Sequence, residues 1–167
     1  WSYFQGLAIP IKEEKREFVG GLSRMLAIGF FTRIFKGDYE SLYPSEQLVF
    51  DLFPEADVTG IMKSFLKYFH SKRFEAKGLA NQFAETDPQL SVKYKRKQLP
   101  LKIFINSGFG SVSSPDQLPW AEINVGERIT CTARQFLRLA MKFFTERGCI
   151  PLMNDTDGIN FAAPHDI

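Results

Sequence analysis

Two groups of carboxylates stand where the chain predicts a strand end and a turn. Asp38 ends an apolar run, and Asp155 and Asp157 lie in the turn-forming segment 154–158. Carboxylates brought together in this way repel one another unless cations lie between them. Hard ions such as Mg²⁺ suit these ligands, and two such ions can hold the attacking and leaving oxygens of a phosphoryl transfer. For each acid taken alone, a purely structural turn is the alternative.

Basic residues are concentrated in one part of the chain. The formal net charge of the 167 residues is only +2, which by itself argues against a nucleic-acid-binding protein. Residues 60–102 contain ten Lys/Arg and three Asp/Glu, which gives +7, whereas the remainder contains eleven and sixteen, which gives −5. The basic segment predicts a surface that holds polyanions near an acid-lined site. A lysine-rich face that is merely solvated is the alternative.

The hydrophobic pattern predicts the elements that position these charges. Residues 27–39, apolar and aromatic, predict a largely buried strand that ends at Asp38. Apolar residues at three- and four-residue steps predict helices over 55–83 and 89–104, and Asp87 is a good N-cap for the second. The short polar break between them favours an antiparallel helical hairpin.

The rest of the chain predicts a loop, a helix and a β-hairpin. Residues 106–121 are rich in Gly, Ser and Pro, which favours a loop, and helical spacing returns over 126–147. Residues 149–161 predict a β-hairpin with two acids at its tip. Pro100 should kink the second helix of the helical hairpin or disturb its register.

Composition restricts the class of protein further. The 44% hydrophobic and 24% charged residues are typical of a globular domain, and no apolar run is long enough for a membrane span. Cys131 and Cys149 cannot form a disulfide framework and are expected to be buried thiols in a reducing compartment. His70 and His165 are expected at the surface. We therefore expect a soluble, intracellular protein.

Three motifs, in order along the chain, resemble those of family B DNA polymerases. Residues 38–45, D-Y-E-S-L-Y-P-S, are similar to the first palm motif of that family, D-x-x-S-L-Y-P-S. Residues 102–110, K-I-F-I-N-S-G-F-G, are similar to its fingers motif, K-x-x-x-N-S-x-Y-G. Residues 155–157, D-T-D, resemble its last palm motif, Y-G-D-T-D-S, although Met153 and Asn154 stand in place of Tyr-Gly and Gly158 in place of Ser.

Weaker agreements accompany these motifs. Arg73 and Lys77 have the spacing of the R-x-x-x-K element in the first fingers helix of the family. Residues 18–21, F-V-G-G, are similar to the Y-x-G-G element between its exonuclease and polymerase regions. Residues 129–134 lie where the family has a helix with an I-T-x-x-G-R-like sequence. We see no exonuclease or thumb sequence, and we expect the chain to be a segment of something longer.

The resemblance implies a metal-binding and catalytic group of residues. Asp38 and Asp157 would be the principal metal ligands, and the backbone carbonyl of Tyr39 would add an oxygen. Asp155 would be an auxiliary catalytic acid near the metal ions or the primer end. The ions would be two Mg²⁺, for which Mn²⁺ is a substitute.

The resemblance also implies substrate contacts. Tyr43 would act as a steric gate that leaves no room for a 2′-hydroxyl, and Lys102 and Arg73 would neutralise the triphosphate. The residues implied to bind the nucleotide are Ser41, Leu42, Tyr43, Arg73, Lys77, Lys102 and Asn106. Those implied to contact DNA are Gly20, Gly21, Gly110 and Thr156.

Together these inferences predict an α+β fold with two parts. The palm, residues 1–54 and 107–167, would contain an antiparallel sheet and packed helices. The fingers, residues 55–106, would be the antiparallel two-helix hairpin. The expected function is that of a DNA-directed DNA polymerase core in replication, which transfers a nucleotide from a dNTP to a primer 3′-hydroxyl. Its partners would be primer-template DNA, dNTP and replication accessory proteins, and it would not bind a membrane. It would work in the cytoplasm or nucleoid of its host, and a virus or phage could encode it. Two alternatives remain: a polymerase-like nucleic-acid-binding module that is inactive on its own, and another two-metal phosphotransferase.

Overall fold

The chain folds into a four-stranded antiparallel sheet and four helices within the part that is described. A computed structural model describes residues 16–115 and 118–164, together with residues 6, 8, 10, 11 and 14. The elements in chain order are β1 (Ser23–Met25), β2 (Ile34–Asp38), α1 (Leu42–Val49), α2 (Ile61–Gln82), α3 (Pro88–Ser113), α4 (Ile123–Thr145), β3 (Ile150–Asp155) and β4 (Gly158–Ala162). The predicted α+β class is confirmed.

The sheet brings the end of β2 beside the turn of the β-hairpin. Its strand order is β1-β3-β4-β2, and every neighbouring pair is antiparallel. The register pairs Asp38, the last residue of β2, with Gly158, the first residue of β4. The predicted hairpin is confirmed, and its turn therefore lies next to the carboxylate that ends β2.

The strand predicted over 27–39 is much shorter and more exposed than expected. Only Ile34–Asp38 is a strand, and most of its residues are exposed. Residues before it, such as Ile28 and Phe30, project into solvent with 93% and 108% relative exposure. Within the described part β2 pairs with β4 alone and lies at an edge of the sheet, so apolar content did not predict burial here.

Helices α2 and α3 form the predicted antiparallel hairpin. Near the turn, Ser91 Oγ donates a hydrogen bond to the Ala80 carbonyl at 2.7 Å, and Phe83 stacks on Tyr94. At the opposite end the rings of Phe65 and Phe69 contact that of Phe104. The carboxylate of Asp87 accepts from the Leu90 amide at 2.9 Å, with Pro88 at the first helical position, so the predicted N-cap is confirmed.

Helix α3 is longer than predicted. It continues without interruption across Pro100 and through residues 106–113, where a loop was expected. Burial of Ile105 and Val112 favours the helix at this end, and the hydroxyls of Ser111 and Ser113 donate to carbonyls four residues earlier. Packing thus outweighs the low helix propensity of the Gly- and Ser-rich sequence. The domain boundary at 106 stays a prediction.

Helix α4 supports the sheet and contains the centre of the core. Ile129, Ala133 and Leu137 recur along one face and are completely buried. Ile129 packs with Leu52, Val112 and Val125, against which Tyr43, Met62 and Phe109 are partly buried. The helix predicted over 126–147 is therefore confirmed, with a start three residues earlier.

Two expectations about single residues are corrected. Cys149 is buried as expected, but Cys131 is exposed because it lies on the outer face of α4. His70 is half-buried, and its ring nitrogen lies 3.3 Å from Ser45 Oγ. Burial is the main cause that lowers its pKa. His165 lies outside the described residues. Among those residues no helix has both the length and the apolarity needed to cross a membrane.

Candidate functional site

A cavity of about 680 Å³ lies where the sheet meets the helical hairpin. Four separate stretches of the chain contribute to it: the end of β2 with the start of α1, helix α2, helix α3, and the turn of the β-hairpin. The residues that line it are Lys36, Asp38, Tyr39, Glu40, Ser41, Leu42, Tyr43, Pro44, Arg73, Lys77, Lys102, Asn106, Phe109, Thr156 and Asp157. Most of the residues selected from the sequence motifs are therefore brought together in one place.

The acidic wall of the cavity is held by backbone contacts. The Tyr39 amide donates to the Asp157 carbonyl at 2.8 Å, which fixes the first residue after β2 against the hairpin turn. Asp38 and Asp157 both line the cavity and both are exposed to solvent. Lys36, two residues before Asp38 and on the same face of β2, places its ammonium 3.1 Å from the Asp38 carboxylate.

Gly158 leaves the space that the Asp38 carboxylate occupies. A Cβ atom at position 158 would lie only 2.1 Å from Asp38 Oδ1. Any side chain at this position would therefore displace the carboxylate from its present position. The departure from the family motif at Gly158 thus has a structural reason in this chain.

Asp155 does not line the cavity. It is the last residue of β3, exposed, and paired in register with Ser23 of β1 on one side and Gly158 on the other. The next residue, Thr156, has a φ of 53° and turns the chain so that Asp157 rather than Asp155 reaches the cavity. The two acids of the motif are thereby separated.

The donor set fits a hard divalent ion that also binds a substrate. Asp38 and Asp157 offer oxygen ligands only, together with backbone carbonyls at the same strand end. No cluster of three or more His, Cys, Asp or Glu that could hold a metal is found among the described residues. Mg²⁺ is commonly bound through one or two carboxylates, with water and substrate phosphates completing its shell. Two carboxylates on one cavity wall meet that requirement.

Tyr43 lies deep in the cavity wall, in contact with two of the motif elements. Its ring packs on that of Phe109, with centroids 4.6 Å apart. Its hydroxyl faces Gly21, where a Cβ atom would lie 2.9 Å from the oxygen and 3.0 Å from Thr156 Cγ2. Burial is the main cause that raises the Tyr43 pKa, and the charges of Glu46 and Asp157 act in the same direction, while Arg134 opposes them.

The segment that contains Gly20 and Gly21 is held by helix α4. Arg134 donates to the carbonyls of Val19 and Gly20 at 2.6 and 2.7 Å, and Thr130 Oγ1 donates to that of Val19 at 2.8 Å. These two weak motif elements, more than 100 residues apart, are therefore in direct contact. Gly20 and Gly21 support the cavity from behind and do not line it.

The basic wall belongs to the helical hairpin. Arg73 is buried, with 7% relative exposure, and its guanidinium donates to Ser41 Oγ. Lys77 lies one turn further along α2. Lys102 and Asn106, one turn apart on α3, line the cavity from the other helix and are exposed. Gly110, a further turn along, lies outside the cavity.

Sequence reasoning did not select two charged residues of the site, Lys36 and Glu40. Lys36 could have been found because alternation along a strand places residues 36 and 38 on one face. Glu40 occupies a variable position of the D-x-x-S-L-Y-P-S pattern, so no motif marks it. Its carboxylate lies 2.7 Å from Lys77 Nζ and 3.8 Å from Arg73 Nη1.

Comparison with known proteins finds a solved structure with a similar fold. No protein-family model matches the chain, and no curated protein matches it. A solved family B DNA polymerase from the hyperthermophilic archaeon Pyrobaculum calidifontis is similar in structure, with a TM-score of 0.67 and 17% sequence identity. The match covers 98% of this chain and 25% of that polymerase, so the chain spans about a quarter of its length. The fold is therefore that of a region of a family B DNA polymerase.

Proposed function

We propose that this chain is the palm and fingers of a DNA-directed DNA polymerase, which transfers a nucleotide from a dNTP to a primer 3′-hydroxyl. The observation that supports this most is the convergence of motif residues from four distant segments on one cavity. Acids form one wall of that cavity and cations the other. This arrangement suits a substrate that carries a triphosphate next to a reacting hydroxyl.

Each wall has its own task in this proposal. Arg73, Lys77 and Lys102 bind the triphosphate and neutralise the charge that builds up on the leaving pyrophosphate. Tyr43, packed on Phe109, lies under the sugar and excludes a 2′-hydroxyl. The primer 3′-oxygen forms the new bond to the α-phosphorus, and pyrophosphate leaves with the bonding electrons.

Divalent ions belong to the acidic wall. Asp38 and Asp157, with the Tyr39 carbonyl, would hold Mg²⁺. When bound, Mg²⁺ favours ionisation of the primer hydroxyl and neutralises phosphate charge. The chain itself contributes the orientation of the two carboxylates, through the Tyr39 amide and the space left by Gly158.

Primer extension with Mg²⁺ by the protein that carries these residues tests the proposal. We expect Asp38→Ala and Asp157→Ala each to reduce incorporation by roughly a thousandfold or more, because each removes an anionic ligand from the reacting centre. Asp51→Ala is the matched control, since Asp51 is an exposed acid paired with Lys63 at 2.9 Å outside the cavity. Undiminished incorporation by Asp157→Ala would refute the metal-ligand assignment.

The second candidate is a nucleic-acid-binding module without activity. The pairing of Asp38 with Lys36 favours it, because a lysine already neutralises one of the two carboxylates. This candidate predicts salt-sensitive binding of primer-template DNA with no incorporation, in Mg²⁺ or in Mn²⁺. Measurable template-dependent incorporation would exclude it.

A further inference from the structure

Glu40 holds two of the cations that the proposed function assigns to the triphosphate. It lies in the turn between β2 and α1 and lines the cavity. Its Oε1 is 2.7 Å from Lys77 Nζ and 3.8 Å from Arg73 Nη1, so one carboxylate from the palm bridges to two successive turns of α2. Glu40 occupies a variable position of the D-x-x-S-L-Y-P-S pattern, so no motif marks it.

We propose that Glu40 is a positioning residue that competes with the polyphosphate ligand for Lys77, and so makes the basic wall selective for multiply charged anions. The inference rests on the proposed function, since that function supplies the polyphosphate. Glu40 keeps Lys77 in place beside the cavity while no ligand is bound. The ligand then exchanges with Glu40 at the lysine.

The two cations differ in their ability to change partner. Arg73 is buried, donates to Ser41, and has an Nε atom with no hydrogen-bond partner in the described part of the chain. The Arg73 guanidinium is therefore held in place and does not change partner when a ligand binds. Lys77 is about two-fifths exposed and its stem is flexible, and Glu40 is about one-third exposed. Exposed ion pairs are weak, so a polyphosphate can replace the carboxylate at Lys77.

This exchange has a consequence for selectivity. A phosphodiester of the DNA backbone carries one negative charge, the same as Glu40, and gains little by replacing it. A triphosphate carries several negative charges and can contact Lys77, Arg73 and Lys102 together, so it can displace the carboxylate. Glu40 thereby disfavours occupation of the basic wall by the backbone of DNA.

Binding of inorganic tripolyphosphate tests the exchange without DNA or metal ions. We expect Glu40→Gln to tighten the Kd for tripolyphosphate about three- to tenfold, measured by calorimetry in a chelating buffer at low salt on the protein that carries this chain. In a Lys77→Met background the same Glu40→Gln change should alter the Kd by less than about twofold, since the contested cation is gone. Glu40→Gln should tighten the Kd for inorganic monophosphate by a larger factor than that for tripolyphosphate, so the preference for the multiply charged anion should shrink.

Two control variants distinguish exchange at Lys77 from a general change in surface charge or folding. Glu75→Gln is matched, because Glu75 lies on the same helix and pairs with Lys72 at 2.8 Å outside the cavity, and it should leave the Kd unchanged. If Glu40→Gln does not fold, Glu40→Asp replaces it, since the shorter acid retains the charge and reaches Lys77 less well. Weaker binding by either variant of Glu40, or equal tightening in the Lys77→Met background, overturns the proposal. If neither the wild type nor any variant extends a primer, the polymerase function is refuted. The tripolyphosphate result still tests the exchange at Lys77, because that experiment contains no DNA.

Discussion

The two walls of the cavity are built in different ways. On the acidic wall, local contacts set the position of each acid: the Tyr39 amide donates to the Asp157 carbonyl, and the Asp38 carboxylate occupies the space beside Gly158. On the basic wall, long side chains extend from helices α2 and α3, and those of Lys77 and Lys102 are partly or largely exposed. The acidic wall is set by local contacts, whereas the basic wall combines the buried Arg73 with two more exposed lysines that can adjust.

This difference predicts two kinds of response to mutation. A single added atom on the acidic wall displaces a carboxylate, so the loss of activity should be steep and insensitive to salt. On the basic wall, the charge and length of each side chain determine how well it contacts the substrate. Losses of activity should therefore be graded and should depend on ionic strength. Substitutions in each wall can break or sharpen that contrast.

Gly158→Ala should have the steepest effect. Its Cβ would meet Asp38 Oδ1 at 2.1 Å, and the carboxylate can rotate away at little cost in stability, but it then leaves its place in the cavity. We expect a loss of roughly a hundredfold or more in kcat for primer extension, because small displacements of reacting groups are costly. Thermal unfolding should change by only a few degrees.

A glycine of helix α2 that does not line the cavity provides the control. Gly78 of α2 has no atom within 4 Å of a built Cβ, so Gly78→Ala should preserve activity and increase stability by about 0.5–1 kcal/mol. The contrast would fail if Gly158→Ala retained full activity, or if both alanine variants lost activity equally.

Lys102→Met should have an intermediate, graded effect. It removes one cation of the basic wall, and we expect kcat/KM for the dNTP to fall about ten- to fiftyfold, through both KM and kcat. Lys102→Arg retains the charge and should stay within about fivefold of the wild type. The deficit of Lys102→Met should shrink as salt is added.

Lys63→Met is the matched control for this change. Lys63 is a half-exposed lysine of α2 that pairs with Asp51 outside the cavity. Its replacement should leave kcat/KM unchanged. If Lys102→Met lost as much activity as Gly158→Ala, and the loss did not depend on salt, the contrast between the two walls would be wrong.

Glu46→Gln tests a buried carboxyl of helix α1 and should affect stability alone. Burial raises the pKa of Glu46 from its ordinary 4.5 to about 8, and both carboxyl oxygens lack hydrogen-bond partners among the described residues. Between these pH values the folded state binds this proton and the unfolded state releases it. Stability of the wild type should therefore fall as pH rises from about 4.5 to about 8, by at most roughly 1.4 kcal/mol per pH unit.

The Glu46→Gln variant has no titratable proton at this position, so its free energy of unfolding relative to that of the wild type should rise with pH. The difference should reach the order of 2 kcal/mol near pH 8. Denaturant unfolding at pH 5, 6.5 and 8 measures this difference. A difference that does not vary with pH would mean that Glu46 is ionised in the folded protein.

The sequence predicted the site better than the edges of the fold. Motif spacing selected residues on β2, α2 and α3 that do line one cavity, and helical periodicity found the hairpin and α4. Helix α1 was missed because its eight residues include Pro44 and begin after Ser41 in a left-handed conformation, without a side-chain cap. Strand β1 has three residues, too few for a periodic signal.

What could not be predicted depends on distant partners. Ile34 and Phe35 are exposed although they are apolar, and β2 lies at an edge of the sheet, a position that no local pattern contains. The exclusion of Asp155 from the cavity depends on the turn geometry at Thr156. The pairing of Glu40 with Lys77 joins residues 37 positions apart, at a variable position of the motif.

The strand order also determines when each wall can form as the chain leaves the ribosome. Strands β1 and β2 find their partners only in β3 and β4, more than 100 residues later, whereas α2 and α3 are neighbours along the chain. Contacts between distant segments form slowly because a long loop must close first. The helical hairpin can therefore fold during synthesis, while the edge strands stay unpaired until the last hairpin is made.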